Sequence, residues 1–179
     1  MTHRRPPFLL LLPLVVFAAL ATLFYVGLQD DDAGGLASAL LGKAAPALDL
    51  DPLGDELVPD NDDLRANHVK LVNFWASWCA PCRAEHPNLQ SLNEQGLTIL
   101  GVNYKDQPQH ALDFLDELGN PFNRIGADDS GRTAINWGVY GVPETFVVDS
   151  NGIIRLRWAG PITSRALSEH ILPALENAE

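Results

Sequence analysis

"NFWASWCAPCRAEHP", residues 73–87, holds both cysteines of a 179-residue chain, two residues apart and directly behind a run of apolar and aromatic residues. The reading of this stretch decides the fold, because Cys-x-x-Cys serves as a crosslink, as half of a metal site or as a redox pair. The residues before it, "VKLVNFWA" at 69–76, read as a buried strand rich in branched and aromatic side chains. Those after it, Ala80 to Glu94, read as a helix broken or kinked at Pro87 and ended by Gly96. The cysteines therefore fall where a strand hands the chain to a helix.

Compartment bears on how two cysteines behave. Phe8 to Leu28, "FLLLLPLVVFAALATLFYVGL", carries no charge, and at about 1.5 Å per residue it spans a bilayer core of roughly 30 Å. A cleaved signal peptide has a shorter apolar region, about 7 to 15 residues. The nearest small-x-small triplet, Ala37-Ser38-Ala39, lies behind three aspartates, a poor context for cleavage. The expected organisation is a cytoplasmic tail at 1–7, a transmembrane anchor at 8–28, a linker at 29–42 and one domain at 43–179. Arg4 and Arg5 precede the span and Asp30-Asp31-Asp32 follow it, so the positive-inside rule exports the domain.

All 23 acidic residues and 10 of the 12 basic ones follow the span, a balance of −13. Such a domain repels phosphates, which excludes nucleic acid as a partner, and stands off an anionic membrane surface. About 150 exported residues pack a core without disulfide support, so a bare crosslink explains the pair poorly.

Outward from the cysteines, "LTILGVNY" at 97–104 is a second buried strand, and "PQHALDFLDELG" at 108–119 a helix stopped by Gly119. A short stretch at 122–127 leads to a helical turn at 131–138. "ETFVVD" and "IIRLRWAG" then form a hairpin about Ser150-Asn151-Gly152, Asn-Gly being the strongest short hairpin signal. Thr163 to Asn177 closes the chain as a helix that Pro173 should kink. Near the start, "ALDLDPLGDELVP" suggests a further hairpin around Leu53-Gly54-Asp55, and "DNDDLRANH" a surface loop or one helical turn. Strands alternating with helices and closing on an antiparallel pair imply an α/β fold, a mixed central sheet flanked by helices on both faces.

A structural zinc needs four protein ligands, and this chain has no second cysteine pair and five scattered histidines, at 3, 68, 86, 110 and 170. A copper site from two thiolates and His86 stays open. The redox reading explains more. Cys79 falls at a helix N-terminus, where free backbone N–H groups and the helix dipole stabilise a thiolate and make it the attacking nucleophile. Cys82 lies one turn on and resolves the mixed disulfide, and Pro81 sits in the first turn, where a missing N–H costs nothing.

"FWASWCAPCRAEHP" resembles the active site of thioredoxin-fold proteins, and "GVYGVPETFVVDSNG" at 138–152 resembles their cis-proline segment. With the anchor, the acidic domain, "GVNYKD" at 101–106, "WGVYG" at 137–141 and "PETF" at 143–146, the chain is similar to the cytochrome c maturation reductases of the CcmG/DsbE family, from Lys43 to the last helix. It departs at Val142, where the family commonly has alanine. The resemblance implies a thioredoxin-like fold and a periplasmic reductant held to the inner membrane. Its electrons would come from a membrane donor of the CcdA/DsbD type and pass to a disulfide of apocytochrome c or of a partner thiol protein. No cofactor and no metal are implied.

Carried over by position, Cys79 and Cys82 are the redox pair, and Pro143 is the substrate-facing proline, with Val142 and Trp78 beside it. Asn103, Tyr104 and Lys105 would line the same groove. Glu85 and Glu144 match acidic residues near the pair: a negative charge there raises the thiolate pKa and makes the dithiol a better electron donor. Alternatives are a general TlpA-like disulfide reductase or an oxidant of the same fold, and a binding module that delivers copper or scaffolds haem assembly.

Overall fold

The computed structural model describes residues 8–29 and 39–178, with side chains in the first segment described for 12–24. An N-terminal helix, α1 (Phe8–Gln29), covers the apolar run, with Pro13 in its second turn. The described side chains cover less than the roughly 20 residues of a crossing, and among the described residues no helix is long and apolar enough to cross a membrane. The tail at 1–7 and most of the linker, 30–38, lie outside the described residues.

The rest of the chain is a separate unit. Its elements are β1 (Asp51–Pro52), α2 (Asn61–Leu64), β2 (Lys70–Trp75), α3 (Ala80–Glu94), β3 (Thr98–Tyr104), α4 (Pro108–Leu118), β4 (Arg124–Asp128), α5 (Arg132–Asn136), β5 (Glu144–Val148), β6 (Ile154–Ala159), α6 (Ser164–Ala166) and α7 (Leu172–Glu176). The six strands form one sheet in the order β1-β4-β3-β2-β5-β6. β2, β3 and β4 are mutually parallel, while β1, β5 and β6 pair antiparallel to their neighbours.

Central β2 is buried at every residue, its two polar ones, Lys70 and Asn73, included, which is why its apolar residues do not simply alternate with polar ones. Alternate side chains still serve opposite faces. Leu71 and Trp75 join Leu89 and Leu92 of α3, Phe114 of α4 and Ile171 on one face; Val72 and Phe74 join Phe146, Trp137 and Leu64 on the other. Trp75 lies between Phe122 and Phe114, with ring centroids 5.5 and 5.1 Å away. Each such contact adds about 0.5–1.5 kcal/mol to the area these rings bury. This packing fixes the C-terminal end of β2, the point from which the cysteine turn departs. α3 turns Cys82, Glu85, His86, Leu89 and Leu92 inward, the three-four spacing of one helical stripe.

The mixed sheet with helices on both faces agrees with the expectation from sequence, and four details differ. Residues 47–59 are not a hairpin: Asp51–Pro52 pairs with β4, and both residues are exposed, as suits an edge strand that contains a proline. The stretch after Phe122 is a strand, β4, that extends the sheet. The last helix is interrupted by a π-helical turn, Leu167–Ile171, between α6 and α7, just ahead of Pro173. α3, by contrast, continues through Pro87 without a break.

Candidate active site

Cys79 is the N-cap of α3, with extended backbone (φ −91°, ψ 104°), and its Sγ accepts the Cys82 N–H at 3.1 Å. Pro81 in the first turn removes no hydrogen bond that the helix needs. The two sulfurs are joined in a disulfide with Cα atoms 5.3 Å apart. Both cysteines are nearly buried, at 4% and 2% exposure. A sulfur that already accepts a helix N-terminal N–H is suited to carry negative charge once reduced. Across from it, the Val142 carbonyl oxygen lies 3.5 Å from Cys79 Sγ, and the Val142–Pro143 peptide bond is cis.

The turn before Cys79 is held from the β3–α4 loop. Asp106 accepts hydrogen bonds from Ser77 N (2.6 Å) and Asn103 Nδ2 (3.0 Å) on Oδ2, and from Ser77 Oγ and Gln107 N (both 2.8 Å) on Oδ1. The Trp78 indole N–H donates to the Lys105 carbonyl at 3.1 Å while its ring stays 59% exposed. Lys105 supplies that carbonyl from the left-handed region, φ 44°, which few non-glycine residues occupy. Of the residues expected to line a groove here, Asn103 is buried beneath Asp106, Tyr104 is half-buried and Lys105 is exposed. Asp106 itself escaped the sequence reading; its only signal was the acid that ends "GVNYKD" at a strand's end.

The two glutamates lie on opposite faces of the sheet. Glu85, 1% exposed and one turn after Cys82 on the inward face of α3, accepts from Asn73 Nδ2 (2.9 Å) and from the Ile162 backbone N–H (2.8 Å). Burial pushes its pKa up to about 7, against the lowering effect of those two hydrogen bonds. Asn73 also donates to Thr145 Oγ1 at 3.0 Å, leaving its own Oδ1 without a hydrogen-bond partner.

Glu144 stands opposite Phe74, on the other face. Its Oε2 accepts from Arg157 Nε at 2.7 Å, and its Oε1 from Tyr140 N (2.9 Å) and Gly141 N (3.4 Å). The expectation that Glu144 tunes the pair by a negative charge meets a carboxylate whose charge is matched by a guanidinium and whose free oxygen holds a loop. Arg157 was not singled out from the sequence, where it appears only as one of two arginines in "IIRLRWAG".

His86, the histidine nearest the cysteines in sequence, has Nε2 on the Gly119 carbonyl at 2.8 Å and its ring edge on Phe114. Among the described residues, no cluster of three or more His, Cys, Asp or Glu could hold a metal ion.

A family model described as Redoxin matches residues 40–170. The thiol:disulfide interchange protein HelX of Rhodobacter capsulatus is 50% identical over 167 residues, 93% of this chain and 95% of the relative. DsbE of Escherichia coli is 42% identical over 172 residues, 93% of each chain. The crystal structure of a candidate DsbE from Chlorobium tepidum gives a TM-score of 0.63 at 31% identity, over 79% of this chain and 99% of that one. A thioredoxin-like sheet with a Cys-x-x-Cys disulfide at the start of α3 defines a thiol-disulfide oxidoreductase. The chain belongs to the CcmG/DsbE family of thiol:disulfide interchange proteins.

Proposed function

We propose that this protein is a membrane-anchored periplasmic reductant that delivers electrons to disulfides of apocytochrome c, or of its partner thiol proteins, during cytochrome c maturation. The anchor at 8–28 holds the domain at 43–179 to the inner membrane, within reach of a CcdA/DsbD-type donor. The Cys79 thiolate attacks one sulfur of the substrate disulfide, forming a mixed disulfide and releasing the other sulfur as a thiolate that takes up a proton. Cys82 then attacks Cys79 Sγ, freeing the second substrate thiol and leaving the Cys79–Cys82 disulfide. Two electrons have passed to the substrate, and a membrane dithiol restores the pair. Val142, Pro143 and Trp78 form the surface against which the substrate lies.

The observation that carries the direction of transfer is Glu85. It is a buried carboxyl on the same face of α3 as Cys82, with neutral hydrogen-bond partners and a pKa of about 7. Ionised, it disfavours thiolates beside it and so weakens the reduced form, as a donor requires. The likeness of "GVNYKD", "WGVYG" and "PETF" to the family supports the cytochrome assignment.

The test is a Cys82→Ser trap in cells, with covalent partners identified by mass. Apocytochrome c or its thiol chaperones are expected. Capture of unrelated secreted proteins alone would turn the assignment to a general TlpA-like reductase, and a strongly oxidising potential would refute the reductant reading.

A further inference from the structure

We infer that Arg157 is a positioning residue for disulfide exchange, acting through Glu144 to hold the loop that faces Cys79, with the Tyr140 ring as the outer face of this clasp. The inference rests on the reading of Cys79 and Cys82 as a reducing pair.

The clasp follows from strand geometry. In the β5–β6 hairpin, Glu144 opposes Ala159 and Phe146 opposes Arg157, so Glu144 and Arg157 are diagonal neighbours on one face of the sheet. Arg157, its side chain only 10% exposed, uses two arms of its fork: Nε donates to Glu144 Oε2 at 2.7 Å and Nη2 to the Gly138 carbonyl at 2.8 Å. Its guanidinium carbon lies 4.9 Å from the centre of the Tyr140 ring. The other oxygen of Glu144 accepts the N–H groups of Tyr140 and Gly141. The segment 138–141 is thus tied at three of its residues to one buried ion pair. The next residue, Val142, is the one whose carbonyl stands 3.5 Å from the Cys79 sulfur.

A lysine cannot reproduce this, because a point charge does not reach a carboxylate and a carbonyl at once while lying flat on a ring. The paired charges cancel, so the clasp acts on geometry and not on the stability of the thiolate. Tyr140, 67% exposed although its backbone and ring are both held, offers incoming polypeptide a rigid aromatic surface two residues before Val142.

The experiment mixes the reduced full-length chain rapidly with an oxidised Cys-x-x-Cys peptide; the protein dithiol becomes a disulfide as the peptide disulfide becomes two thiols. Half-saturating concentration and limiting rate are read separately, together with the equilibrium constant of the pair against glutathione. Arg157→Met is expected to raise the half-saturating concentration roughly ten- to a hundredfold, the penalty of a misplaced binding surface, while the glutathione equilibrium stays within about twofold. Glu144→Gln should follow the same pattern and Arg157→Lys should fall between.

Tyr140→Ala, at an exposed position, keeps the test open if Arg157→Met does not fold, and should raise the half-saturating concentration severalfold. Unchanged half-saturation in both Arg157→Lys and Tyr140→Ala overturns the inference, as does a shifted glutathione equilibrium in Glu144→Gln with normal saturation. A wild-type chain that reduces no disulfide peptide would defeat the functional reading itself, which separates the two failures.

Discussion

Exchanging Glu85 for glutamine keeps the shape of the side chain and removes its ability to ionise. Glu85 is 1% exposed, and burial raises its pKa from 4.5 to about 7. At about 1.4 kcal/mol per unit of pKa, that rise corresponds to about 3 kcal/mol. The folded pKa lies above the unfolded one, so folding favours the protonated form. Its contribution is fully present below about pH 4.5, is lost as pH rises through 7, and is level above that. The amide of the Glu85→Gln variant has no such dependence. It also has a ready partner, since a half-turn of the Asn73 amide brings its unpartnered Oδ1 toward the new NH2 group.

The expected result is that stability of Glu85→Gln relative to wild type rises by about 3 kcal/mol between pH 4 and pH 8, the other titrating groups cancelling in the difference. Urea unfolding of the oxidised chain, followed by tryptophan fluorescence at half-unit pH steps, measures it. A difference that stays flat within about 0.5 kcal/mol across that window would refute the reasoning, because the carboxyl would then ionise in the fold as it does in the unfolded chain.

Lys70→Met should cost about 2–4 kcal/mol in the same unfolding assay. The buried Lys70 Nζ donates to the carbonyls of Leu64 (3.0 Å), Ala66 (2.7 Å) and Asp149 (3.4 Å), and methionine fills the space but loses these charge-assisted bonds, leaving Ala66 and Asp149 only the N–H groups of His68 and Gly152. Because Lys70 is at the end of β2 remote from the cysteine turn, the exchange rate should not change. Gly101→Ala places a methyl 2.8 Å from Phe122 Cγ and 3.0 Å from Ile125 Cγ1, an overpacking that should lower stability by about 1–3 kcal/mol, read as a drop in Tm. Asp106→Asn puts an amide where four donors now meet one carboxylate; it should speed hydrogen exchange at the Ser77 amide and slow disulfide reduction about tenfold through loosened positioning of the turn before Cys79.

What could be read from the sequence divides along local and non-local lines. β2, β3, α3 and α4 were legible because each carries its own period or a largely apolar run, and the Asn151-Gly152 turn announced the β5–β6 hairpin. β4 was not, since "RIGAD" opens on arginine, has glycine at its centre and ends on aspartate. Its burial comes from pairing with β3 on one side and β1 on the other. The false hairpin at 47–59 has the same origin: Pro52 can sit on an edge strand, and the edge available to it belonged to β4, far along the chain.

The site shows the same division, and here it changes the chemistry. Cys79, Cys82 and Pro143 are legible as residue types in a spacing. Glu85 and Glu144 look alike in sequence, each one acid close to one of the two motifs, but the parity of the sheet separates them. Asn73 and Thr145 share the α3 face with Glu85, whereas Glu144, one residue out of phase, turns to the face where the hairpin register delivers Arg157. One carboxylate is hydrogen-bonded by neutral donors, so its charge is unmatched when it ionises; the other is paired with a guanidinium and holds a loop. The hairpin and its turn were both visible in the sequence, yet counting residues back from Asn151-Gly152 on each strand does not give the diagonal that joins Glu144 to Arg157: the Val148–Ile154 register, carried on unshifted, would set Glu144 opposite Trp158. What the count could not supply is the bulge between Val147 and Val148, which shifts the β5–β6 register by one residue and so brings Arg157 to the face of the sheet that Glu144 occupies.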